Sequence, residues 1–209
     1  MENNMTEIVC ILDRSGSMAG LESDVIGGFT TTLNDQKSKE GKAYISTVLF
    51  NNHSTVIHDR LPLEEVEPMT RDDYRAFGST ALYDAIGDAI KHIANIHKYL
   101  RPEDVPEKTI FVITTDGMEN ASHRYSAKML RDLIKKKEAE GWEFLFLAAN
   151  IDGDAAARAI GIDEDHVAEY VADCGGIQAC YSMMCESIGA VRRRERVNTE
   201  KWRKPKKDD

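Results

Sequence analysis

The chain has 209 residues, of which 42% are hydrophobic and 30% charged, and its formal net charge is −9. This length and composition fit one globular domain with a sizeable core. The acidic balance argues against nucleic acid as a partner, because phosphate neutralisation supplies most of that affinity. No apolar run approaches the roughly 20 residues of a membrane-spanning helix, and the N-terminus lacks the apolar stretch of a signal peptide. We therefore expect a cytoplasmic protein with no membrane partner and with reduced cysteines.

Charge is distributed unevenly along the chain. Residues 192–209 contain nine Lys/Arg and four Asp/Glu, whereas the rest of the chain carries a net charge of −14. We expect an N-terminal tail at 1–6, one domain at 7–198 and a basic, disordered tail at 199–209. Contact of the basic residues with an anionic partner is the alternative. Because this tail has almost no apolar stripe, we expect its removal to leave the stability of the domain unchanged.

The sequence alternates between strand-like and helix-like segments. Runs of β-branched and aromatic residues indicate the strands, and apolar residues recurring every three or four positions indicate the helices. Residues 59–79 are acidic and contain two prolines, so we expect a loop with one short helix there. The predicted strands are 7–13, 43–50, 54–58, 109–115, 143–149 and 166–171, and the predicted helices are 18–39, 81–96, 127–140, 155–160 and 177–198.

This order of segments predicts an α/β fold with three layers, α/β/α, of the doubly wound type. Segments 109–115 and 143–149 show no polar alternation, as expected for parallel strands that are covered on both faces. Segment 54–58 follows Asn51-Asn52, a turn signal, and is expected to pair back as a hairpin. We therefore predict a mostly parallel, Rossmann-like sheet with helices on both faces and one antiparallel edge strand.

Oxygen-bearing side chains follow two of the predicted strands. Asp13, Ser15 and Ser17 alternate where the first strand gives way to a turn. Thr80 lies immediately before the long second helix, and Asp116 follows the fourth strand. If these two strands are neighbours at the switch point of the sheet, their carboxyl ends bring the five side chains around one point. Two carboxylates and three hydroxyls suit a hard cation such as Mg²⁺.

The spacing of these residues resembles a known family, the von Willebrand factor A (vWA) domain with an intact metal-ion-dependent adhesion site (MIDAS). The resemblance covers roughly residues 6–195. It implies that the three hydroxyls bind Mg²⁺ directly, and that the two carboxylates act directly or through water; Mn²⁺ or Ca²⁺ would be substitutes. One coordination position stays open in this family. The residues that carry the resemblance are Asp13-x-Ser15-x-Ser17, Thr80, and Asp116 followed by Gly117.

The resemblance implies metal-dependent protein recognition and no enzymatic activity. The partner would be a protein that presents an Asp or Glu side chain, because neutral hydroxyls leave the cation short of negative charge. Relatives inside cells serve in multiprotein complexes, often alongside ATPases. The resemblance is therefore to a bacterial-type intracellular member, a cytoplasmic scaffold or adaptor, with an ATPase complex as one setting.

Other interpretations stay open. A strand that ends in aspartate beside Mg²⁺ also describes aspartyl-phosphate phosphatases, which resemble D-x-D-x-T, but Ser15 stands where their proton donor would be. The chain could also be a structural module with an unused metal site. Asp13 and Ser15 could instead bond backbone N–H groups at the start of the helix. Glu119, Asn120 and His123 are either rim residues of the site or solvated loop residues.

Overall fold

A computed structural model describes residues 4–197, 199 and 202. The centre of the fold is a six-stranded sheet in the order β3-β2-β1-β4-β5-β6. All neighbouring strands are parallel except β3, which pairs antiparallel with β2 at one edge. The strands are β1 (Met5–Asp13), β2 (Lys42–Phe50), β3 (Ser54–Pro62), β4 (Lys108–Thr115), β5 (Trp142–Ala149) and β6 (Val167–Tyr170).

Helices cover both faces of the sheet. Two of them pack with one face of the strands, and the other three pack on the opposite face. Within the described residues, no helix combines the length and the apolar character needed to cross a membrane. The first pair comprises α1 (Glu22–Lys37) and α5 (Cys174–Arg192), and the second group comprises α2 (Leu82–Tyr99), α3 (Ala127–Ala139) and α4 (Gly153–Ile160).

The predicted fold class is confirmed, including the single antiparallel edge strand. β1 and β4 lie side by side in the centre and are buried along almost their whole length. Successive side chains of a strand point to opposite faces, so Ile8 and Val9 belong to different halves of the core. Strands that are buried on both faces need continuous apolar runs, which is why these segments could be recognised from the sequence.

The ends of several elements differ from the prediction. α1 begins at Glu22, four residues later than expected, because Gly16–Met18 form a separate 3-10 turn and Gly20 has a φ of 91°. β1 begins at Met5, so the predicted tail at 1–6 overlaps the sheet. Residues 1–3 lie outside the described part of the chain.

β3 extends to Pro62, although residues 59–62 were expected to be loop. The extension is fixed by a buried ion pair, because the Arg60 guanidinium donates to the carboxylate of Glu7 at 2.8 Å. Arg60 also lies over the ring of Tyr44, 4.2 Å from its centroid. A paired and hydrogen-bonded charge can be buried at this point, whereas Glu7 alone could not.

α5 ends at Arg192, not at residue 198 as predicted, and residue 198 lies outside the described residues. Arg192 is buried and is not part of a solvated basic tail. Its guanidinium donates to the carbonyl oxygens of Gln36, Lys39, Glu40 and Gly41 at the end of α1. Gln36 lies in the last turn of α1 and the other three residues follow the helix, so Arg192 joins the end of α1 to α5.

Two described residues of the tail predicted at 199–209 contact the domain, contrary to the expectation that this tail has nothing to bury. Thr199 is buried and its hydroxyl donates to the carbonyl of Asp165 at 2.7 Å, and the half-buried Trp202 packs against the core. We therefore expect Trp202→Ala to lower the free energy of unfolding by about 1–2 kcal/mol, because it removes apolar contact area. The matched variant is Tyr99→Ala, whose ring is 74% exposed, and it should change stability by less than about 0.5 kcal/mol. Equal urea midpoints for the two variants would contradict this expectation.

Candidate metal centre

The predicted site residues meet at the carboxyl ends of β1 and β4. The two strands are parallel neighbours, and Leu12 pairs with Thr114 near their ends. α1 follows β1 on one face, whereas α3 follows β4 on the other face, so this is the switch point of the sheet. The predicted adjacency of the two strands is therefore confirmed, and it places Asp13 and Asp116 at the same edge.

Asp13 is the most firmly held member of the group and is 2% exposed. One carboxylate oxygen accepts a hydrogen bond from the backbone N–H of Ser15 at 2.7 Å, and the other accepts from the hydroxyl of Thr115 at 2.7 Å. The phenol of Tyr74 donates to the backbone carbonyl of Asp13. Asp13 therefore does accept a hydrogen bond from a nearby backbone N–H, which was one of the alternatives to a metal site. This hydrogen bond is compatible with the position of Asp13 in the cluster.

The serine hydroxyls link the two aspartates. Ser15 Oγ and Ser17 Oγ are 3.0 Å apart, and Ser17 Oγ donates to Asp116 Oδ1 at 2.6 Å. A Cβ atom placed on Gly117 would lie 3.1 Å from Thr80 Oγ1 and 3.6 Å from Ser17 Oγ. The missing side chain of Gly117 therefore leaves space directly beside two of the hydroxyls. All five predicted residues belong to one cluster.

Thr80 is held in place by the loop after β4. Its backbone N–H donates to the side chain of Asn120 at 2.9 Å, and its carbonyl accepts from the backbone N–H of Asn120 at 3.1 Å. Glu119 accepts hydrogen bonds from the backbone N–H groups of Tyr83, Ala121 and Ser122. Glu119 and Asn120 thus fix the segment that carries Thr80, a structural role in addition to the two that the sequence suggested.

The sequence analysis missed Asp84, a residue of α2 that fixes the loop after β4. Its carboxylate accepts hydrogen bonds from the backbone N–H groups of His123, Arg124 and Tyr125 at 2.9–3.0 Å. These contacts hold the pKa of Asp84 below its usual value, against the effect of partial burial. The side chain of His123 is exposed at the surface of this loop. The loop after β4 is therefore rigidly attached to the start of α2.

The electrostatics of the cluster favour a cation. Burial raises the pKa of Asp13 to about 6, although its hydrogen bonds act in the opposite direction. Burial also raises the pKa of Asp116. Asp116 Oδ2 is buried and has no hydrogen-bond partner among the described residues. A carboxylate oxygen without a donor is costly in a protein interior, and a bound cation would supply the missing charge.

The donor set fits a hard divalent cation. The described residues contain no group of three or more His, Cys, Asp and Glu that could hold a metal ion. The candidate centre instead combines two carboxylates with three hydroxyls, all oxygen donors. Such ligands suit Mg²⁺, Ca²⁺ and Mn²⁺ better than the softer metals that prefer cysteine or imidazole. The unpaired oxygen of Asp116 and the space beside Gly117 are both consistent with a cation at this point.

Several solved structures have a similar fold, and two of them were solved with a divalent metal. The chain matches the vWF domain of the type V pili tip protein Mfa5 from Porphyromonas gingivalis with a TM-score of 0.65, at 10% identity over 92% of this chain and 98% of that chain. It also matches proximal thread matrix protein 1 from the mussel byssus, solved with a zinc-occupied MIDAS motif, with a TM-score of 0.57 at 15% identity over 88% of this chain. The chain spans about half of that protein's length, 47%.

A third similar structure is the manganese-loaded TRAP protein from Plasmodium vivax, with a TM-score of 0.57 at 14% identity over 86% of this chain and 73% of that chain. No protein-family model and no curated protein matches the chain. At these identities the similarity shows the fold alone. The chain therefore adopts the fold of vWA domains.

Proposed function

We propose that this protein is an Mg²⁺-dependent recognition module that binds an acidic side chain of a partner protein. The observation that carries the proposal is the cluster of Asp13, Ser15, Ser17, Thr80 and Asp116, in which Asp116 Oδ2 is buried without a hydrogen-bond partner among the described residues. A buried carboxylate oxygen without a donor, in a cluster that also contains three hydroxyls, suits a cation site, whereas a purely structural turn does not require it.

The roles of the residues follow from their contacts. Ser15, Ser17 and Thr80 would supply hydroxyl oxygens to the cation. Asp116 is free to accept a metal-bound ligand through its unpaired oxygen. Asp13 already accepts two protein hydrogen bonds and would orient the serine loop. The bound cation would attract a carboxylate to its open coordination position, because the hydroxyl ligands carry no charge.

The geometry of Asp13 favours binding over phosphoryl transfer. In a phosphatase of the type considered above, the aspartate at the end of the strand would attack the phosphorus atom. Asp13 is 2% exposed, and both of its carboxylate oxygens accept hydrogen bonds from within the protein. Oδ1 of Asp116 accepts a hydrogen bond from the Ser17 hydroxyl. We therefore propose a function other than catalysis for this chain.

We propose the cellular location of the protein and the type of complex it joins from the sequence alone. The resemblance to vWA domains found inside cells suggests a cytoplasmic scaffold, and a multiprotein complex that contains an ATPase is one such setting. The similar structures with zinc and manganese suggest that divalent ions other than Mg²⁺ can occupy such sites. We propose Mg²⁺ as the native ion because all the donors are hard oxygen atoms.

The open coordination position can be tested with Mn²⁺ as a probe. Mn²⁺ bound to the EDTA-stripped protein should strongly enhance the relaxation of water protons, because water occupies the open position. Millimolar Gly-Asp-Gly, N-acetylated and C-amidated so that its only carboxylate is the Asp side chain, should reduce this enhancement by displacing the water, whereas Gly-Asn-Gly with the same blocked ends should leave it unchanged. An enhancement that does not respond to Gly-Asp-Gly would contradict the proposed function.

The raised pKa of Asp13 leads us to expect that the stability of the metal-free protein depends on pH. Burial raises the pKa of Asp13 from its ordinary value of 3.8 to about 6, so the folded state binds the proton more tightly than the unfolded chain. This contribution to stability is complete below the unfolded pKa and is lost as the pH rises through 6. In EDTA, wild type should lose about 2 kcal/mol relative to Asp13→Asn between about pH 4 and pH 7. Parallel urea titrations of the two proteins would measure the difference, and a constant difference would contradict the prediction.

A further inference from the structure

Exposed apolar side chains are concentrated at one edge of the molecule. We call the edge formed by the carboxyl ends of the parallel strands the metal-centre edge. Five of the six large hydrophobic residues that are at least half exposed among the described residues lie in loops or element ends at this edge; Tyr99, at the end of α2, lies at the opposite edge. The five are Val56, Phe77, Met118, Met129 and Val171.

Two of these residues flank the candidate metal ligands along the chain. Phe77 is three residues before Thr80 and is 57% exposed, and Met118 is two residues after Asp116 and is 73% exposed. Apolar side chains that remain in water cost free energy, and exposed apolar surface beside a polar site marks interaction surfaces. Their positions on either side of the cluster suggest that they contribute to the same binding event.

The backbone holds both side chains in fixed positions. The N–H of Phe77 donates to the carbonyl of Arg14 at 3.0 Å, and its own carbonyl accepts from the Asn51 amide at 3.1 Å. Met118 lies between Gly117, whose carbonyl accepts a hydrogen bond from the Thr115 hydroxyl at 3.0 Å, and Glu119, whose carboxylate accepts from several backbone N–H groups. Neither residue is therefore at a loose loop tip, and binding would cost little ordering entropy of the backbone.

A positively charged side chain, Arg14, lies beside Phe77 at the metal-centre edge. The guanidinium of Arg14 lies 5.8 Å from the centroid of the Phe77 ring. It donates to the carbonyl of Asp73 and to the hydroxyl of Thr55, and its Nε is buried without a partner among the described residues. None of the ion pairs between described side chains includes Arg14. An acidic segment would thus meet a positive charge beside an apolar surface.

From these observations we infer that the metal-centre edge recognises a short peptide segment of a partner protein in which an Asp or Glu is flanked by bulky apolar residues. The carboxylate occupies the open position of the cation, and the flanking side chains pack on Phe77 and Met118. This inference rests on the proposed function and adds the sequence class of the partner. Burial of one such flanking side chain is expected to strengthen binding by about tenfold or more.

A displayed peptide library tests the inference. Heptapeptides with a central Asp and randomised flanking positions are captured on the immobilised protein in Mg²⁺ and released with EDTA. Wild type should enrich Leu, Ile, Met or Phe beside the Asp. The double variant Phe77→Ser/Met118→Ser should lose this preference and still release clones with EDTA. The matched control Tyr99→Ser removes an exposed ring from the opposite edge and should keep the preference of wild type.

The outcomes separate the inference from the proposed function. Flanks without apolar enrichment, or the same enrichment in wild type and in the double variant, would overturn the inference and leave the proposed function intact. No EDTA-released clones above the background of Ser15→Ala/Ser17→Ala would overturn both. Mg²⁺-dependent dimerisation in sedimentation, without selection of such clones, would assign the edge to a second copy of the chain and also overturn the inference.

Discussion

Asp116→Asn is expected to abolish Mg²⁺ binding and, in EDTA, to raise the melting temperature by about 2–4 °C. The variant loses metal binding but gains stability without metal, because the same carboxylate oxygen binds the cation and is unfavourable when no cation is present. Among the described residues Asp116 Oδ2 is buried without a hydrogen-bond partner, and burial raises the pKa of the side chain. Replacing this carboxylate by a neutral amide removes an unfavourable buried charge, which is worth on the order of 1 kcal/mol, and also removes the charge that attracts the cation.

The matched control for this variant is Asp152→Asn. Asp152 lies at the same edge of the sheet, where its side chain accepts a hydrogen bond from the N–H of Ala155 at the start of α4. Asparagine caps helices about as well as aspartate, so both the Mg²⁺ affinity and the melting temperature should stay unchanged. A lower melting temperature of Asp116→Asn in EDTA would show that Asp116 stabilises the fold without metal, contrary to our account.

Arg192→Ala is expected to lower the free energy of unfolding by about 3–5 kcal/mol. Arg192 is 8% exposed and its hydrogen bonds go to α1 and the residues just after it. Truncation would remove the donor that the carbonyls of Lys39, Glu40 and Gly41 share with Gln36, and it would create a cavity between α1 and α5. For a chain of this size, this corresponds to a loss of roughly 10 °C in melting temperature.

The neighbouring Arg193 provides the control. Its side chain is 58% exposed and forms an ion pair with Glu195 at 2.6 Å. Exposed pairs contribute little, so Arg193→Ala should change the free energy of unfolding by less than about 1 kcal/mol. Urea denaturation of the two variants measures both values. Similar losses in the two variants would show that Arg192 is not the residue that joins the helices.

The sequence predicted the elements whose signals are local. β4 and β5 were recognisable because buried parallel strands need continuous apolar runs. The turn with Asp13, Ser15 and Ser17 was recognisable because the three residues are within five positions of one another. The start of α1 was wrong by four residues, because the 3-10 turn at Gly16–Met18 and the following extended residue continue the polar loop.

The residues that support the site depend on contacts between distant parts of the chain. Thr115 contacts Asp13 across 102 positions, and in the sequence it is only the end of an apolar run. Tyr74 contacts the backbone of Asp13 from the segment that was expected to be a loop. The Thr115 contact depends on the pairing of β1 with β4, and the Tyr74 contact depends on the packing of segment 59–79 against the end of β1. No local sequence pattern predicts either arrangement.

Arg192 illustrates the same point for charge. In the sequence it begins a run of three arginines, and such runs are typical of solvated surfaces. Only the position of Arg192 on α5, next to the end of α1, distinguishes it from Arg193 and Arg194. The buried role follows from helix packing and not from the composition of the run.

Our proposal includes the claim that Asp13, Ser15, Ser17, Thr80 and Asp116 form one cation site. Calorimetric titration of the EDTA-stripped protein with Mg²⁺, next to Ser15→Ala/Ser17→Ala, measures whether this site exists. We predict binding of one ion by wild type and no binding by the double variant, because two of the three hydroxyl ligands are removed. Equal binding by both proteins, or no heat of binding in wild type, would contradict the claim.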